Sequence, residues 1–247
     1  MSRAGPACSE SPTPQAESLL QHRVPVEASI RGGDYRDHFL PGSVVRSAAS
    51  GPPAPGQERR FEAGVVVPLS HLLEHIDAVR RGQGGAGSPE QREREPLLLY
   101  LAQHDLVGDP GLAPILQRVH PPPFRSLIDR VDRVNVWLGP QGTVSPLHRD
   151  PYDNVLCQAV GVKSVALVGP AHAHAVRAYA ESESRVLRNT SRLDVPDPRH
   201  MASQEPFANA EVLQGVLRAG DALYVPRGWF HVIRAETSSL SVSFWWT

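Results

Sequence analysis

The sequence predicts a mainly β protein, a sandwich or jelly roll with helices packed outside it. Several short stretches with period-2 alternation of apolar and polar residues, separated by turn residues, cluster in the C-terminal half of the 247-residue chain. The 24 prolines, about twice the usual ~5%, argue against long uninterrupted helices. With 40% hydrophobic residues, a chain of this length can form a single β domain around one core.

The N-terminal half carries fewer and more widely spaced elements. Residues 1–20 are small, polar and rich in proline and serine, which predicts a disordered tail ahead of a domain over residues 21–247. In chain order, the apolar spacing then predicts a strand over 24–30, a strand over 61–69, a helix from Ser70 with Leu72, Leu73, Ile76 and Val79 on one face, a strand over 97–104 and a short helix over 111–119.

The C-terminal half carries the strands that define the fold class. The last is the clearest, because Leu240, Val242 and Phe244 point one way while the residues between them point the other. Residues 171–210 are polar and irregular, with one helix predicted near 172–181. The predicted strands are 134–138, 155–160, 162–168, 212–218, 221–225, 229–235 and 238–246.

Charge and composition exclude several classes of protein. The 25 basic and 26 acidic residues give a net charge of −1, which argues against a broadly basic nucleic-acid binder and against nucleic acid as the direct substrate. No apolar run approaches the ~18 residues of a membrane span, and the N-terminus lacks the apolar core of a signal peptide. Two cysteines, Cys8 and Cys157, form no disulfide framework. We therefore expect an intracellular protein, in the nucleus or the cytoplasm, with no membrane association.

The most informative motif is a His-x-Asp pair, His148 and Asp150. It follows a predicted strand, and residues i and i+2 of an extended chain point to the same face. An imidazole and a carboxylate can therefore converge there on one metal ion. His231, on a strand in the other half of the predicted barrel, is the natural third ligand. Two histidines and one carboxylate leave coordination positions open and are typical of non-haem Fe(II) oxygenases.

Two other histidine pairs are weaker candidates. His75 and Asp77 lie in the predicted helix, where residues i and i+2 do not face each other, so we interpret them as surface residues. His172 and His174 lie in the irregular polar segment.

Lys163 is the single lysine of the chain; the other 24 of its 25 basic residues are arginines. It lies on the second predicted strand after the His148 turn. An ammonium that points into a barrel beside a metal ion is costly unless an anion pairs with it, and a dicarboxylate co-substrate would supply that anion. The alternative interpretation is a surface lysine on an edge strand.

Several motifs in the right order resemble one known family. Together they span residues 24–247, nearly the whole chain after the predicted tail. They resemble the Jumonji-C (JmjC) domain, and in particular the branch called Jumonji domain-containing protein five or lysine-specific demethylase eight. The motifs are VPVE at 24–27, YLAQH at 100–104, the run from Trp137 to Gly169, RNTSRLDV at 188–195, GDALYVPRGWFHVI at 220–233 and SVSFWW at 241–246.

The resemblance implies a double-stranded β-helix that binds Fe(II) and 2-oxoglutarate and uses O2. It implies that His148, Asp150 and His231 are the iron ligands, and that Lys163 pairs with the distal carboxylate of 2-oxoglutarate. Tyr100, Ser145 and Asn154 would hydrogen-bond the co-substrate, Trp137 and Trp245 would line the substrate side, and Glu27 would be among the substrate's guanidinium partners.

The implied activity is that of a dioxygenase that hydroxylates a protein side chain, with arginine favoured as the target. A methyl-lysine site would want an aromatic cage, whereas carboxylates suit a guanidinium. Demethylation of histone methyl-lysine by the same chemistry is the alternative. A non-catalytic JmjC-like binding module is a third reading, which the presence of all three ligands and Lys163 disfavours.

Two departures from the family pattern concern the substrate side. Members carry further strand and helix upstream of the position where this chain begins, so the domain is expected to lack its N-terminal part. Gly32 falls where the branch places an aromatic residue, and Tyr35 is the nearest replacement. The basic residue Arg149, between the two predicted ligands, is expected to point to solvent.

Overall fold

The protein's structure, a computed structural model, describes residues 13–29, 65–82, 98–118, 131–184 and 187–247. The described α-helices are α1 Pro14–Gln21, α2 Leu69–Arg80, α3 Ala113–Arg118 and α4 Ala173–Val176. The described strands are β1 Arg23–Ser29, β2 Val65–Pro68, β3 Leu98–Asp105, β4 Arg133–Gly139, β5 Val144–Arg149, β6 Asp153–Val160, β7 Val162–Val168, β8 Val212–Arg218, β9 Ala222–Val225, β10 Phe230–Ala235 and β11 Ser239–Trp246.

The strands form two sheets. The larger has the order β2-β1-β3-β4-β11-β6-β9, and the smaller has the order β5-β10-β7-β8. Strands that are consecutive in sequence, such as β6 and β7, lie in different sheets, which is how a jelly roll wraps two sheets around one core. The predicted fold class, mainly β with helices outside, is confirmed.

Three apolar clusters hold these layers together. One packs α2 against the large sheet and includes Leu72 and Val136. A second covers the outer face of the small sheet and includes Phe230 and Val232 of β10. The third joins strands of both sheets through residues such as Leu156 of β6. Each sheet buries a mainly apolar face, so the polar side chains that also point between the sheets are exceptions to this pattern.

The N-terminal segment differs from the prediction. The disordered tail expected over residues 1–20 does not hold for its second part, because α1 begins at Pro14. The Thr13 hydroxyl accepts a hydrogen bond from the Ala16 amide, and proline is well tolerated in the first turn of a helix. Leu19 then packs against the core that α2 covers. Residues 1–12 lie outside the described residues.

Helix α2 confirms the predicted helix but not its whole apolar face. Leu69, Leu72 and Ile76 are buried, whereas Leu73 is 38% exposed. Successive helix residues are rotated by about 100°, so Leu73 points away from the stripe that Leu72 and Ile76 share.

Strand β5 and the buried part of the irregular segment were not predicted. Pro146 interrupts the sequence pattern of β5, yet β5 is an edge strand, where a missing backbone N–H does no harm. Of the helix predicted near 172–181, only the single turn α4 forms, after a 3₁₀ turn. Met201 and Phe207, in 3₁₀ turns further on, are fully buried against the small sheet.

Among the described residues, no helix is both long and apolar enough to cross a membrane.

Candidate active site

A narrow cavity lies between the two sheets. Its lining includes every predicted site residue except Glu27. The lining residues are Tyr100, Trp137, Ser145, His148, Asp150, Asn154, Leu156, Lys163, His231, Ile233 and Trp245.

At one end of the cavity, backbone pairing brings three ligand atoms together. His148 and His231 are register partners on the antiparallel strands β5 and β10. Asp150 follows the end of β5, and its Oδ2 lies 3.8 Å from His148 Nε2 and 3.6 Å from His231 Nε2. The three side chains form a cluster in which the potential ligand atoms lie within 4.8 Å of one another, the only such group of three or more among the described residues.

Backbone carbonyls fix which nitrogen of each histidine faces Asp150. His148 Nδ1 lies 2.6 Å from the carbonyl oxygen of Pro146, and His231 Nδ1 lies 3.1 Å from that of Trp229. A carbonyl oxygen only accepts, so each Nδ1 carries the hydrogen and each Nε2 keeps its lone pair for a metal ion. Burial, together with the nearby His148, lowers the pKa of His231 to about 4, which keeps this imidazole neutral.

Lys163 occupies a buried position of β7 that lines the same cavity. Its residue is 3% exposed, and no ion pair joins its ammonium to any acidic side chain that the structure describes. Burial lowers the pKa of Lys163 to about 7. A buried ammonium with no acidic partner among the described residues suits a place where an anionic ligand binds.

Tyr100 and Ser145 line the same cavity as Lys163. Burial raises the pKa of the Tyr100 phenol above its ordinary value, although the Ser145 side chain acts to lower it, so the hydroxyl stays protonated and can donate to an anion.

A β-bulge explains how Ser145 and His148 reach one cavity. Strict alternation along β5 would place these residues, three apart, on opposite faces. The pairing of β5 with β10 shifts between the His231–His148 and Ile233–Ser145 pairs, so β5 holds one extra residue. Bulges of this kind re-aim side chains beside active sites.

Asn154 and the two tryptophans complete the cavity. Within the part of the chain that the structure describes, Asn154 Oδ1 is buried without a hydrogen-bond partner. The same holds for Trp245 Nε1, on the position of β11 that pairs with Asn154. Trp137 differs, because its Nε1 donates to Ser243 Oγ at 3.0 Å. Two orphaned polar atoms in one cavity are what a polar ligand would satisfy.

The remaining predicted site residues lie elsewhere. Glu27 on β1 pairs in register with Tyr100, and its carboxylate contributes to the raised pKa of that phenol. Arg149 is exposed, as predicted. Gly32 and Tyr35 lie outside the described residues.

The other histidine pairs do not join the cluster. His75 Nε2 accepts a hydrogen bond from the Leu99 amide at 3.2 Å and is half-buried, so its reading as a surface residue was wrong. His172 and His174 have ring centroids 6.3 Å apart and take no part in the cluster.

Comparison with known proteins decides the family. The sequence model of the family described as "Cupin-like domain" matches residues 20–247. The chain belongs to the cupin-like JmjC family. It is 38% identical over 154 residues to "Jumonji C domain-containing protein 5" of Drosophila melanogaster, covering 60% of this chain and 36% of that protein.

Two further relatives are named for different activities. "Lysine-specific demethylase 8" of Xenopus tropicalis is 36% identical over 151 residues, which cover 60% of this chain and 33% of that protein. "Bifunctional peptidase and (3S)-lysyl hydroxylase JMJD7" of Homo sapiens is 28% identical over 176 residues, which cover 64% of this chain and 56% of that protein. This JmjC chain thus spans about a third of the length of the first relatives it matches.

The donor set of this JmjC domain suits a divalent metal of the first transition row. Two neutral imidazole nitrogens and one carboxylate oxygen are borderline ligands that favour iron over calcium or magnesium. Asn154, Trp245 and Lys163 line the same cavity as the cluster. The lining of the cavity therefore offers ligand atoms for a metal ion and, in Lys163, a cation that suits a small anion.

Proposed function

We propose that this chain is an Fe(II)- and 2-oxoglutarate-dependent dioxygenase that hydroxylates a protein side chain, with arginine as the target. The observation that carries the proposal is the buried Lys163, which has no acidic partner among the described residues and lines the same cavity as the cluster of His148, Asp150 and His231. A group of two histidines and one carboxylate that can bind a metal ion occurs in many proteins. The same group together with a buried ammonium in one cavity fits a co-substrate that carries carboxylates.

The residues of the chain divide the work of binding. His148, Asp150 and His231 would hold Fe(II), which when bound supplies the oxygen chemistry that couples conversion of 2-oxoglutarate to succinate and CO2 with hydroxylation of a substrate C–H bond. Lys163 would pair with the distal carboxylate of 2-oxoglutarate, and Tyr100 would donate a hydrogen bond to it. Asn154 would donate a hydrogen bond to the same ligand from the N–H of its side-chain amide.

The apolar lining has a separate task. Leu156 and Ile233 line the cavity together with the polar groups and limit the water that can enter. Exclusion of water strengthens the interaction between Lys163 and a carboxylate, because the local dielectric constant falls.

The choice of arginine as the target is argued from the residues near the cavity. Glu27 pairs in register with Tyr100, a residue of the cavity lining, which supports a carboxylate close to the cavity. The aromatic pair beside the cavity, Tyr152 stacked on Trp245 at 5.3 Å, already has the guanidinium of Arg133 5.8 Å from the Tyr152 centroid. That face is therefore not open to a methylated ammonium, whereas a carboxylate can pair with a guanidinium in two hydrogen bonds.

The activities for which the two relatives are named give the alternatives. Demethylation of methyl-lysine uses the same chemistry on an N-methyl carbon and releases formaldehyde, and it is favoured by the name of the Xenopus relative. Both activities act on protein side chains, which supports a protein or peptide substrate. We place the protein inside the cell, in the nucleus or the cytoplasm, where such substrates occur and where its few cysteines stay reduced.

The experiment is high-resolution mass spectrometry of peptides after incubation with Fe(II), 2-oxoglutarate and O2. Unmethylated arginine peptides and matched methyl-lysine peptides are compared. We expect one arginine peptide to gain one oxygen atom. Formaldehyde release without oxygen gain on any arginine peptide would contradict the arginine assignment and favour demethylation. Turnover of neither set, with normal binding of 2-oxoglutarate, would favour a binding module.

A further inference from the structure

A wide groove adjoins the cavity at Asp150. It has a volume of about 670 Å³, within the usual ~300–1,000 Å³ of ligand sites. Asp150 belongs to the linings of both the groove and the cavity, so a chain lying in the groove passes the metal cluster. Three arginines line the groove: Arg149, Arg188 and Arg227. We call it the arginine groove.

The arginines of this groove are not equivalent. Arg188 is neutralised by Glu181, whose carboxylate also lines the groove and lies 3.0 Å from its guanidinium. Arg149 and Arg227 form no ion pair with any acidic side chain of the described residues, and both are exposed. The only other acidic side chain in the lining, Asp150, belongs to the metal cluster. Of the described residues, the groove therefore presents two guanidinium groups without an acidic partner.

The backbone of both arginines, Arg149 and Arg227, lies beside the cluster of potential metal ligands. The Arg149 guanidinium carbon lies 5.1 Å from the centroid of the Phe230 ring, which positions the side chain. The Arg227 amide donates to Asp153 Oδ1 at 3.1 Å, and the next residue, Gly228, donates to the Asp150 carbonyl at 3.0 Å. Less entropy is lost when a ligand meets side chains that are already positioned.

We infer that the arginine groove binds an acidic stretch of the substrate, with aspartate or glutamate side chains close to the hydroxylated residue. This inference rests on the proposed function and adds a sequence preference to it. Guanidinium groups pair with carboxylates through two parallel hydrogen bonds, which gives geometric selectivity. The target side chain enters at Asp150, and its acidic neighbours lie along Arg149 and Arg227.

A nucleic acid fits the groove less well. The ring of Tyr179, the aromatic residue of the lining, already lies 4.8 Å from the guanidinium of Arg192, so it offers no open face for a base. The whole chain also has a net charge of −1, without the basic excess of nucleic-acid binders.

The test is a binding measurement that needs no turnover. Fluorescence anisotropy compares a labelled peptide carrying one central arginine between glutamates with its match carrying glutamines. We expect the glutamate peptide to bind more tightly, and Arg227→Gln to weaken it about five-fold, with Arg227→Lys in between. Arg149→Gln is expected to act similarly. Arg218→Gln, an exposed arginine on β8 outside the groove, is the matched control and leaves binding unchanged.

The outcomes separate this inference from the proposed function. Equal binding of the two peptides, or no effect of Arg227→Gln, overturns the inference, as does a single-stranded RNA that displaces the peptide and binds more tightly than it. Preferential binding of the glutamate peptide without any conversion of 2-oxoglutarate supports the groove and contradicts the dioxygenase. Equal turnover of both peptides supports the dioxygenase and contradicts the groove.

Discussion

His148 and His231 lie directly across from each other on β5 and β10, with ring centroids 4.3 Å apart, and each ring donates its Nδ1 hydrogen to the carbonyl two residues earlier in the chain. The strand backbone therefore sets the position, the tautomer and the orientation of both imidazoles. A ligand pair prepared in this way binds metal without first having to reorganise.

Replacement of His231 by alanine is expected to abolish turnover. One of three protein ligands is lost, so iron affinity falls by more than the ~100-fold that loss of an outer-shell partner causes. Anaerobic titration with Fe(II) and 2-oxoglutarate, followed by visible absorption, measures the loss, and His148→Ala behaves alike. His174→Ala is the control, because His174 is exposed and outside the cluster. Retention of the absorption band in His231→Ala would show that the ligand assignment is wrong.

Replacement of Lys163 by alanine is expected to weaken 2-oxoglutarate and leave iron affinity unchanged. Loss of one partner of a buried charge pair costs about 2–5 kcal/mol, or roughly 30-fold to several thousand-fold in affinity. Lys163→Arg is also expected to be poor, because a planar guanidinium is wider than an ammonium in a closed cavity. Calorimetric titration with 2-oxoglutarate provides the measurement. Unchanged affinity in both variants would remove Lys163 from the co-substrate site.

Without a bound anion, the buried Lys163 ammonium destabilises the folded state. Burial depresses its pKa from 10.5 to about 7 in the folded state, so between these values the unfolded chain holds a proton that the folded chain lacks. Stability therefore rises with pH across that window, and the cost is fully present below pH 7. We expect Lys163→Met to be more stable than the wild type by about 1–4 kcal/mol at low pH.

Denaturant titration of both proteins from pH 6 to pH 10, without metal or 2-oxoglutarate, measures the difference in unfolding free energy between Lys163→Met and the wild type. The difference is expected to shrink as pH rises above about 7. Other titrating groups are common to both proteins and cancel. A difference that stays constant with pH would mean that the ammonium is solvated or paired.

Much of the site follows from the sequence, and the reason is periodicity. His148, Asp150 and His231 could be placed because an extended chain fixes which side chains share a face. Lys163 could be singled out because one ammonium among arginines needs a specific role. These inferences depend only on local geometry and on the cost of burying charge.

Other features depend on contacts between distant segments. The bulge in β5 is set by its pairing with β10, so the sequence around Pro146 gives no sign of it. Met201 and Phe207 are buried because their segment folds over the small sheet, although its composition is polar. The arginine groove is formed by residues from β5, the segment after α4 and the turn before β10, and no linear pattern joins them.

The turn between β6 and β7 supplies a test of the fold. Gly161 has φ +81°, and a Cβ there would lie 2.2 Å from the Ser238 carbonyl oxygen. We expect Gly161→Ala to destabilise the protein by about 3 kcal/mol or more, since steric clash adds to left-handed strain of ~1–3 kcal/mol. Gly220→Ala is the matched control, with φ +97° and open space around its Cβ. Equal thermal shifts in the two variants would contradict the predicted clash.

The central claim is most directly tested by the fate of isotopically heavy O2. Mass spectrometry follows a substrate arginine peptide and the succinate formed from 2-oxoglutarate in the same reaction. A dioxygenase built around His148, Asp150, His231 and Lys163 is expected to place one heavy oxygen atom in succinate and the other in the peptide, in equal amounts. Lys163→Ala is expected to lose both products together at low 2-oxoglutarate. Succinate and peptide without heavy oxygen, or unaltered formation of both in His231→Ala, would contradict the account.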